Sequence, residues 1–254
     1  MSPIRPTAAT FAALALVALV ATARPSHAQA LPAAKDLMDK HDAAIGGRAA
    51  LDKHTSMHQA GTLSMAAAGL EATIEVFRAK PSQFVQKIVL GPMGEVAQGF
   101  DGKTAWAVQP GQGAMLLDST MTAQVKYSSD FFGNFHDMAR YKSAETVELA
   151  DFEGRQCYKV KIVRVAGGEG FEYFDAATGL AAGTISSTDT PMGKVEQTSV
   201  FSEYKDFGGV RIPTKIKQKG AMGEVMITIT TMEFDTVSPA TFALPEAVKA
   251  LIKP

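Results

Sequence analysis

His54 and His58 stand four residues apart, and such a pair on one helix face can hold a metal ion. Here they straddle an expected helix-to-strand boundary, so their side chains need not share a face, and no metal is expected. His136 lies beside Asp137 in a Phe-rich stretch and reads as the solvated side of a helix. Cys157 is the only cysteine and sits in a strand pattern, so it reads as a small buried hydrophobe rather than a reactive thiol. The nucleophile elbow G-x-S-x-G, the zinc helix H-E-x-x-H and the C-x-x-C pair are all absent. Gly168-Glu169-Gly170 lacks the third glycine and the strand-to-helix setting of a nucleotide loop. Lys215, Lys217 and Lys219 alternate along a strand and read as an outward polar face. No catalytic residue and no cofactor are expected. What remains is a chemistry of apolar surfaces, and the elements that would shape them are readable.

The sequence has 254 residues, of which 1–30 read as a cleavable secretory leader. Arg5 gives the basic start, and Phe11 to Thr22 is an apolar run too short to span a membrane comfortably. Ser26-His27-Ala28 and Ala28-Gln29-Ala30 offer small residues at the cleavage position. Residues 31–254 then make one domain, a size that all-β domains reach. The 25 basic residues less Arg5 and Arg24 leave 23 against 26 acidic ones, a net charge of −3. That balance offers nothing to nucleic acid and no strong general attraction to anionic headgroups.

Most of the remainder is strand grammar. Gln83 to Val108 reads as three short strands joined by tight turns, with Asp101-Gly102 as a two-residue hairpin turn. Alternation recurs over Met57 to Met65, Glu71 to Ala79, Cys157 to Arg164, Gly170 to Phe174, Leu180 to Ser187, Val195 to Tyr204, Val210 to Lys217 and Glu224 to Met232. Before the strands, Leu37, Met38, His41, Ala44 and Ile45 recur at helical spacing and stop at Gly46-Gly47. A short helical piece, Arg48 to His54, follows. Between the two runs of strands, Met121 and Val125, then Phe131, Phe132, Phe135, Met138 and Ala139, form helical stripes, the second capped by Ser129 or Asp130. A terminal helix is expected over Pro245 to Ile252.

About a dozen twisted antiparallel strands cannot stay flat, so the expected fold is mainly β: a curled sheet, an incomplete barrel, with a few helices packed on its concave face. In such a meander alternate turns share a rim. One set is nearly uncharged and carries Met93, Met192 and Met222; the other, including Asp101-Gly102, Asp151 to Gly154 and Asp175 to Gly179, is charged. Methionine suits a surface that accepts varied apolar partners, so the first set reads as the rim of a hydrophobic mouth.

Several turn motifs, taken in order, resemble the bacterial periplasmic lipoprotein-carrier superfamily of the LolA/LolB type and its outer-membrane lipoprotein-sorting relatives. They are Ala44-Ile45-Gly46-Gly47, Gly99-Phe100-Asp101-Gly102 with Trp106, Tyr173-Phe174-Asp175 with Thr178-Gly179-Leu180, and Tyr204 with Gly209-Val210 and Ile212-Pro213. The resemblance implies a half-barrel wrapped around helices, with an apolar cavity that shields acyl chains. The lipidation cysteine of the membrane-anchored receptor type is absent, and no position aligns firmly with the carrier's functional arginine, Arg78 being near it.

The expected function is therefore that of an exported, periplasmic, non-enzymatic carrier of a lipid or lipoprotein acyl chain, with transient membrane or envelope-protein contact. The alternative is a cell-envelope interaction or stress-sensing module of the same fold with no ligand. The expected lining is Ile74, Val76, Ile88, Trp106, Val160, Ile162, Tyr173, Ile227 and Ile229, with Phe131, Phe132 and Phe135 as a lid.

Overall fold

The strand runs pair in one 13-stranded antiparallel sheet that does not close. The computed structural model describes residues 30–252, apart from 166, 191, 192 and 222. The leader expected over 1–30 and the tips Met192 and Met222 thus lie outside the described residues, Ala30 excepted. β1 (Ser56–Met65), β2 (Leu70–Ala79), β3 (Gln83–Val89), β4 (Glu95–Phe100), β5 (Ala105–Gln109) and β6 (Gly113–Leu116) run as an up-and-down meander from the middle of the sheet to one edge. The chain then reappears at the far edge. From there β7 (Tyr141–Phe152), β8 (Arg155–Arg164), β9 (Glu169–Asp175), β10 (Ala181–Thr190), β11 (Gly193–Phe207), β12 (Val210–Gly220) and β13 (Gly223–Phe234) return to the middle, where β13 pairs with β1.

That central seam joins the first and last strands of the chain. Its register shifts at Ala60/Gly61, where a Cβ on Gly61 would meet the Thr228 carbonyl oxygen at 2.1 Å. Asp235, just past β13, clasps the start of β1. Its carboxylate accepts hydrogen bonds from the Thr55 backbone N–H (2.7 Å) and hydroxyl (2.9 Å) and lies 2.7 Å from His54 Nδ1. The Thr55 and His54 contacts hold the Asp235 carboxyl well below its usual pKa. His54 is thus engaged with Asp235 and stacked on Phe234, while His58 stacks on Phe77 and contacts Glu75, so the two do not act as a pair.

Between β6 and β7 the chain crosses one face of the sheet. The crossover carries α3 (Ser119–Ser128), capped by Asp118, whose carboxylate accepts the Met121 N–H. The expected helix over 131–139 does not form. Ser129 ends α3, its hydroxyl donating to the Lys126 carbonyl, and Asp130 accepts the Phe132 N–H in a local turn. Met138–Arg140 makes only one tight turn before β7. The Asp101 turn is longer than a two-residue hairpin. Phe100 pairs with Ala105, and the Asp101 carboxylate holds the N–H groups of Lys103 and Thr104.

α1 (Ala34–Ala44) and α2 (Arg48–Asp52) pack on the face that the crossover covers. Leu37 and Met38 of α1 bury against Val160, Ile162 and Phe174. Leu51 of α2 joins Met57, Phe131, Phe135, Ile212 and Met232, and Val125 of α3 meets Phe84, Phe100 and Ala105. The opposite face is covered near β3–β6 by the C-terminal segment, where Phe242 and Val248 of α4 (Glu246–Lys249) and the turn before it bury Trp106. This helix is shorter than expected.

The end of α1 docks directly on the β11–β12 turn. Arg211 N–H donates to the Ile45 carbonyl at 3.0 Å, and Gly46 has φ +110°. A Cβ on Gly46 would lie 2.0 Å from the Gly209 carbonyl oxygen, whereas one on Gly47 would meet nothing within 4 Å. Gly46→Ala is therefore expected to destabilise the fold by more than about 2 kcal/mol, and Gly47→Ala only by the positive-φ cost of about 1 kcal/mol. Urea denaturation of the two variants checks this; equal losses would show that the α1–turn contact carries no strain.

Candidate functional site

Strand alternation and register settle which side chains share the helix-bearing face. Across the seam, Phe201, Ile216, Ile227, Leu63 and Ala72 are successive cross-strand partners. A second row runs Ile229, Gly61, Ile74, Ile88 and Val96. Most of these residues are only partly covered, and together they form an apolar band beside the helices. Ile74, Val76, Ile88, Ile227 and Ile229 of the expected lining belong to this face.

The other expected residues are placed differently. Val160 and Ile162 are on the same face but fully buried beneath α1. Phe131 and Phe135 are core residues, and Phe132 is half-buried under the Arg48 guanidinium, 4.2 Å from its ring centroid. They form a fixed wall rather than a separate lid. Trp106 and Tyr173 are corrections. Trp106 pairs with Gly99, one residue out of phase with the inward Gln98, and faces the C-terminal segment. Tyr173 follows the inward Glu172 and stacks on Phe152 on the outer face, centroids 4.0 Å apart. At the rim, Met93 is 55% exposed at the tip between β3 and β4.

Two hollows lie beside the sheet among the described residues. One, of about 340 Å³, lies at the β1–β3 rim and takes most of its lining, Thr62, Ser64, Glu71, Thr73 and Val89, from the outer face. The other, of about 280 Å³, lies between the end of α1, the crossover and β9–β12. Its apolar walls are Ile45, Phe201, Pro213 and Ile216, and its polar ones His41, His136, Glu172, Thr184 and Tyr204. Arg211 and Asn134, both exposed, stand where it meets solvent. None of the expected lining residues borders either hollow; their strand neighbours do.

The polar wall is an ion-pair cluster. His136 is not on a solvated helix face: its side chain is 12% exposed. Its Nδ1 lies 2.7 Å from Asp42 Oδ1, its Nε2 3.1 Å from Glu172 Oε2, and its backbone N–H donates to Asp42 Oδ2 at 3.0 Å. Arg164 approaches Glu172 at 3.6 Å. Burial alone would lower the His136 pKa, but the hydrogen bonds to Asp42 and Glu172 outweigh it and raise the value to about 9. His41, 5% exposed and edge-on to His136, behaves oppositely. Burial first, and the nearby His136 charge second, lower it to about 4. Its Nδ1 accepts the Ala181 N–H at 3.0 Å, as a neutral imidazole can. Both ring nitrogens of His136 are thus held, one by each carboxylate. The cluster ties α1, the crossover and β9 together.

Arg78 anchors the middle of the crossover, at the end of α3. It points to the inner face from β2, donating from Nε to the Ser128 carbonyl (2.9 Å) and from Nη1 to Gln59 Oε1 (3.2 Å). Burial lowers its pKa to about 10, so it remains charged at neutral pH.

The same architecture occurs in solved proteins. A LolA superfamily protein from Nitrosomonas europaea superposes with a TM-score of 0.56 at 13% identity, over 84% of this chain and 99% of that one. A DUF1329 family protein from Desulfovibrio piger gives 0.56 at 11% identity, over 83% and 97%. A putative outer membrane lipoprotein-sorting protein domain from Vibrio parahaemolyticus gives 0.53 at 10%, over 82% and 94%. No family model matches the chain, and no curated protein matches its sequence. At these identities the likeness is one of fold: the chain has the LolA-like fold.

The two histidines give stability opposite pH dependences. His136, raised to about 9, contributes fully below its ordinary pKa of 6.5 and loses that contribution as pH rises through 9. His41, lowered to about 4, contributes fully above 6.5 and loses it as pH falls through 4. Thermal stability is expected to peak near pH 6.5. His136→Gln should flatten the alkaline decline and also weaken the acid one, because His41 loses the neighbouring charge that helps to lower it. Calorimetric midpoints across the range test this; an unaltered alkaline limb would remove His136 as its source.

Proposed function

We propose that this chain is an exported, non-enzymatic carrier that shelters the acyl chain of a lipid or lipoprotein on the inner face of its sheet. Residues 1–30 act as the leader, residues 31–254 as the single carrier domain, and the periplasm as its compartment. The observation that carries the reading is the apolar band of Leu63, Ile74, Ile88, Val96, Ile216, Ile227 and Ile229, beside the helices. A face of this kind gains by covering: each methylene removed from water contributes about 0.8 kcal/mol, so ten contribute about 8 kcal/mol before the cost of ordering the chain. No covalent chemistry or cofactor is then needed. The LolA-like fold of a lipoprotein-sorting domain supports the same reading. Ile74, Val76, Ile88, Ile227 and Ile229 are the contact residues in this proposal. Phe131, Phe132 and Phe135 wall the groove, and Met93, Met192 and Met222 rim its mouth for contact with a membrane or a partner.

A second reading, an envelope interaction module without a ligand, draws on one observation. Edge strand β7 exposes Val147 (38%) and Leu149 (49%) where a partner strand or surface could lie.

Native mass spectrometry of protein purified from a bacterial envelope separates the two. The carrier reading expects a co-purifying acyl lipid at close to one per chain. Serine at Met93, Met192 and Met222 together is expected to slow transfer of that lipid to acceptor vesicles while leaving the thermal midpoint unchanged. A ligand-free mass, with no uptake of a fluorescent fatty acid, would sink the carrier reading and favour the interaction module.

A further inference from the structure

The hollow between α1, the crossover and β9–β12 is apolar on one side and charged on the other, and its charges do not cancel. Asp42 and Glu172 supply two negative charges; His136, Arg164 and Arg211 supply three positive ones. His136 is spent on both carboxylates and Arg164 adds to Glu172. Arg211 is left over. Its position is fixed by its own backbone, through the 3.0 Å hydrogen bond from its N–H to the Ile45 carbonyl. Asp206, its partner across the β11–β12 hairpin, directs its carboxylate to the Gly209 N–H at 3.0 Å instead. Among the described residues neither the Arg211 guanidinium nor the Asn134 amide has a hydrogen-bond or ion-pair partner, and both line the opening of the hollow.

From this opening the apolar wall continues without a break. Phe201 and Ile216 are cross-strand partners, Ile216 partners Ile227, and Ile227 partners Leu63. The hollow therefore feeds onto the apolar band. Its volume of about 280 Å³ lies just under the range usual for whole ligand sites, which suits a headgroup with the first stretch of one chain.

We propose that this hollow receives the head of an anionic single-chain amphiphile, a carboxylate or a phosphate. Arg211 pairs with its charge, Asn134 donates a further hydrogen bond, and the chain runs past Phe201 and Ile216 onto Ile227. The proposal rests on the carrier reading and names the class of its cargo. A guanidinium suits either head, because its planar fork matches two oxygens of a carboxylate or phosphate at once. The chain's net negative charge gives no general attraction for anions, so the preference is local to this opening.

The test is equilibrium dialysis of the purified protein against radiolabelled dodecanoate, dodecyl phosphate and dodecanol. These probes share a chain and differ only in the head. At least one anion is expected to bind about tenfold more tightly than dodecanol, a preference of about 1.4 kcal/mol that weakens with added salt. The tighter of the two anions identifies the head as carboxylate or phosphate. Arg211→Gln should bring that anion to the level of dodecanol and leave dodecanol binding and the thermal midpoint unchanged; Arg211→Lys should retain part of the preference. If dodecanol binds as well as both anions, or if the anion preference survives Arg211→Gln, the headgroup assignment is overturned and the carrier reading stands. If none of the three binds, the carrier reading itself fails, and this proposal with it.

Discussion

Two strands that follow one another in sequence, β6 and β7, lie at opposite edges of the sheet, and the chain between them has to cross a face to connect them. The strand connections within each half are short turns; this one is long. Because residues 117–140 travel over one face, that face carries α1, α2 and α3, the hollow beside α1, and the core that the two halves of the molecule share. The sheet cannot avoid the crossing by closing. β6 is only four residues long, and β7 is interrupted by register shifts at Tyr141/Ser143 and Thr146/Glu148, so neither edge offers a straight ladder to the other.

A crossover held only by apolar contacts could slide, since such contacts have little direction. This one is held at its middle and near its far end by charged groups with fixed geometry. Arg78 holds the carbonyl at the end of α3, and His136 is gripped by Asp42 from α1 and Glu172 from β9. Burying such charges brings little net stability, because desolvation offsets much of the attraction. Their physical effect is positional: the wall of Phe131, Phe132 and Phe135 is set at a definite place over β1, β12 and β13, and the apolar band beside it stays clear.

Much of this was legible in the sequence. Alternation marked the strands, turn residues marked their ends, and the stripe Leu37, Met38, His41 marked the first helix. A period of two, however, divides a strand into two faces without saying which is the inner one. Trp106 and Tyr173 fell on the other side for that reason: the outer face has its own cover, a C-terminal segment over Trp106 and a stacked Phe152 over Tyr173. The crossover misled for a different reason. Its Phe spacing is helical, but Ser129 and Asp130 turn their side chains back on the backbone and end α3 before the stripe begins. The His136 cluster joins residues 94 and 36 positions away, a distance at which no spacing rule operates. The one local clue was Glu172, a carboxylate set among Phe171, Tyr173 and Phe174, where a strand otherwise expected to be buried needs a partner for its charge.

The seam between β1 and β13 also orders events in time. Every other pairing in the sheet joins strands that are neighbours in sequence and can zip up as soon as both exist. The seam brings together groups as far apart as Thr55 and Asp235, 180 positions, and it must wait for the last strand. Until then the molecule is two separate meanders, each with a raw edge that belongs in the middle of the finished sheet. A chain truncated before β13 would leave β1 as a long open edge beside β2, able to pair with any strand it meets. For this fold the C-terminal strand is thus the step that turns two aggregation-prone halves into one protein.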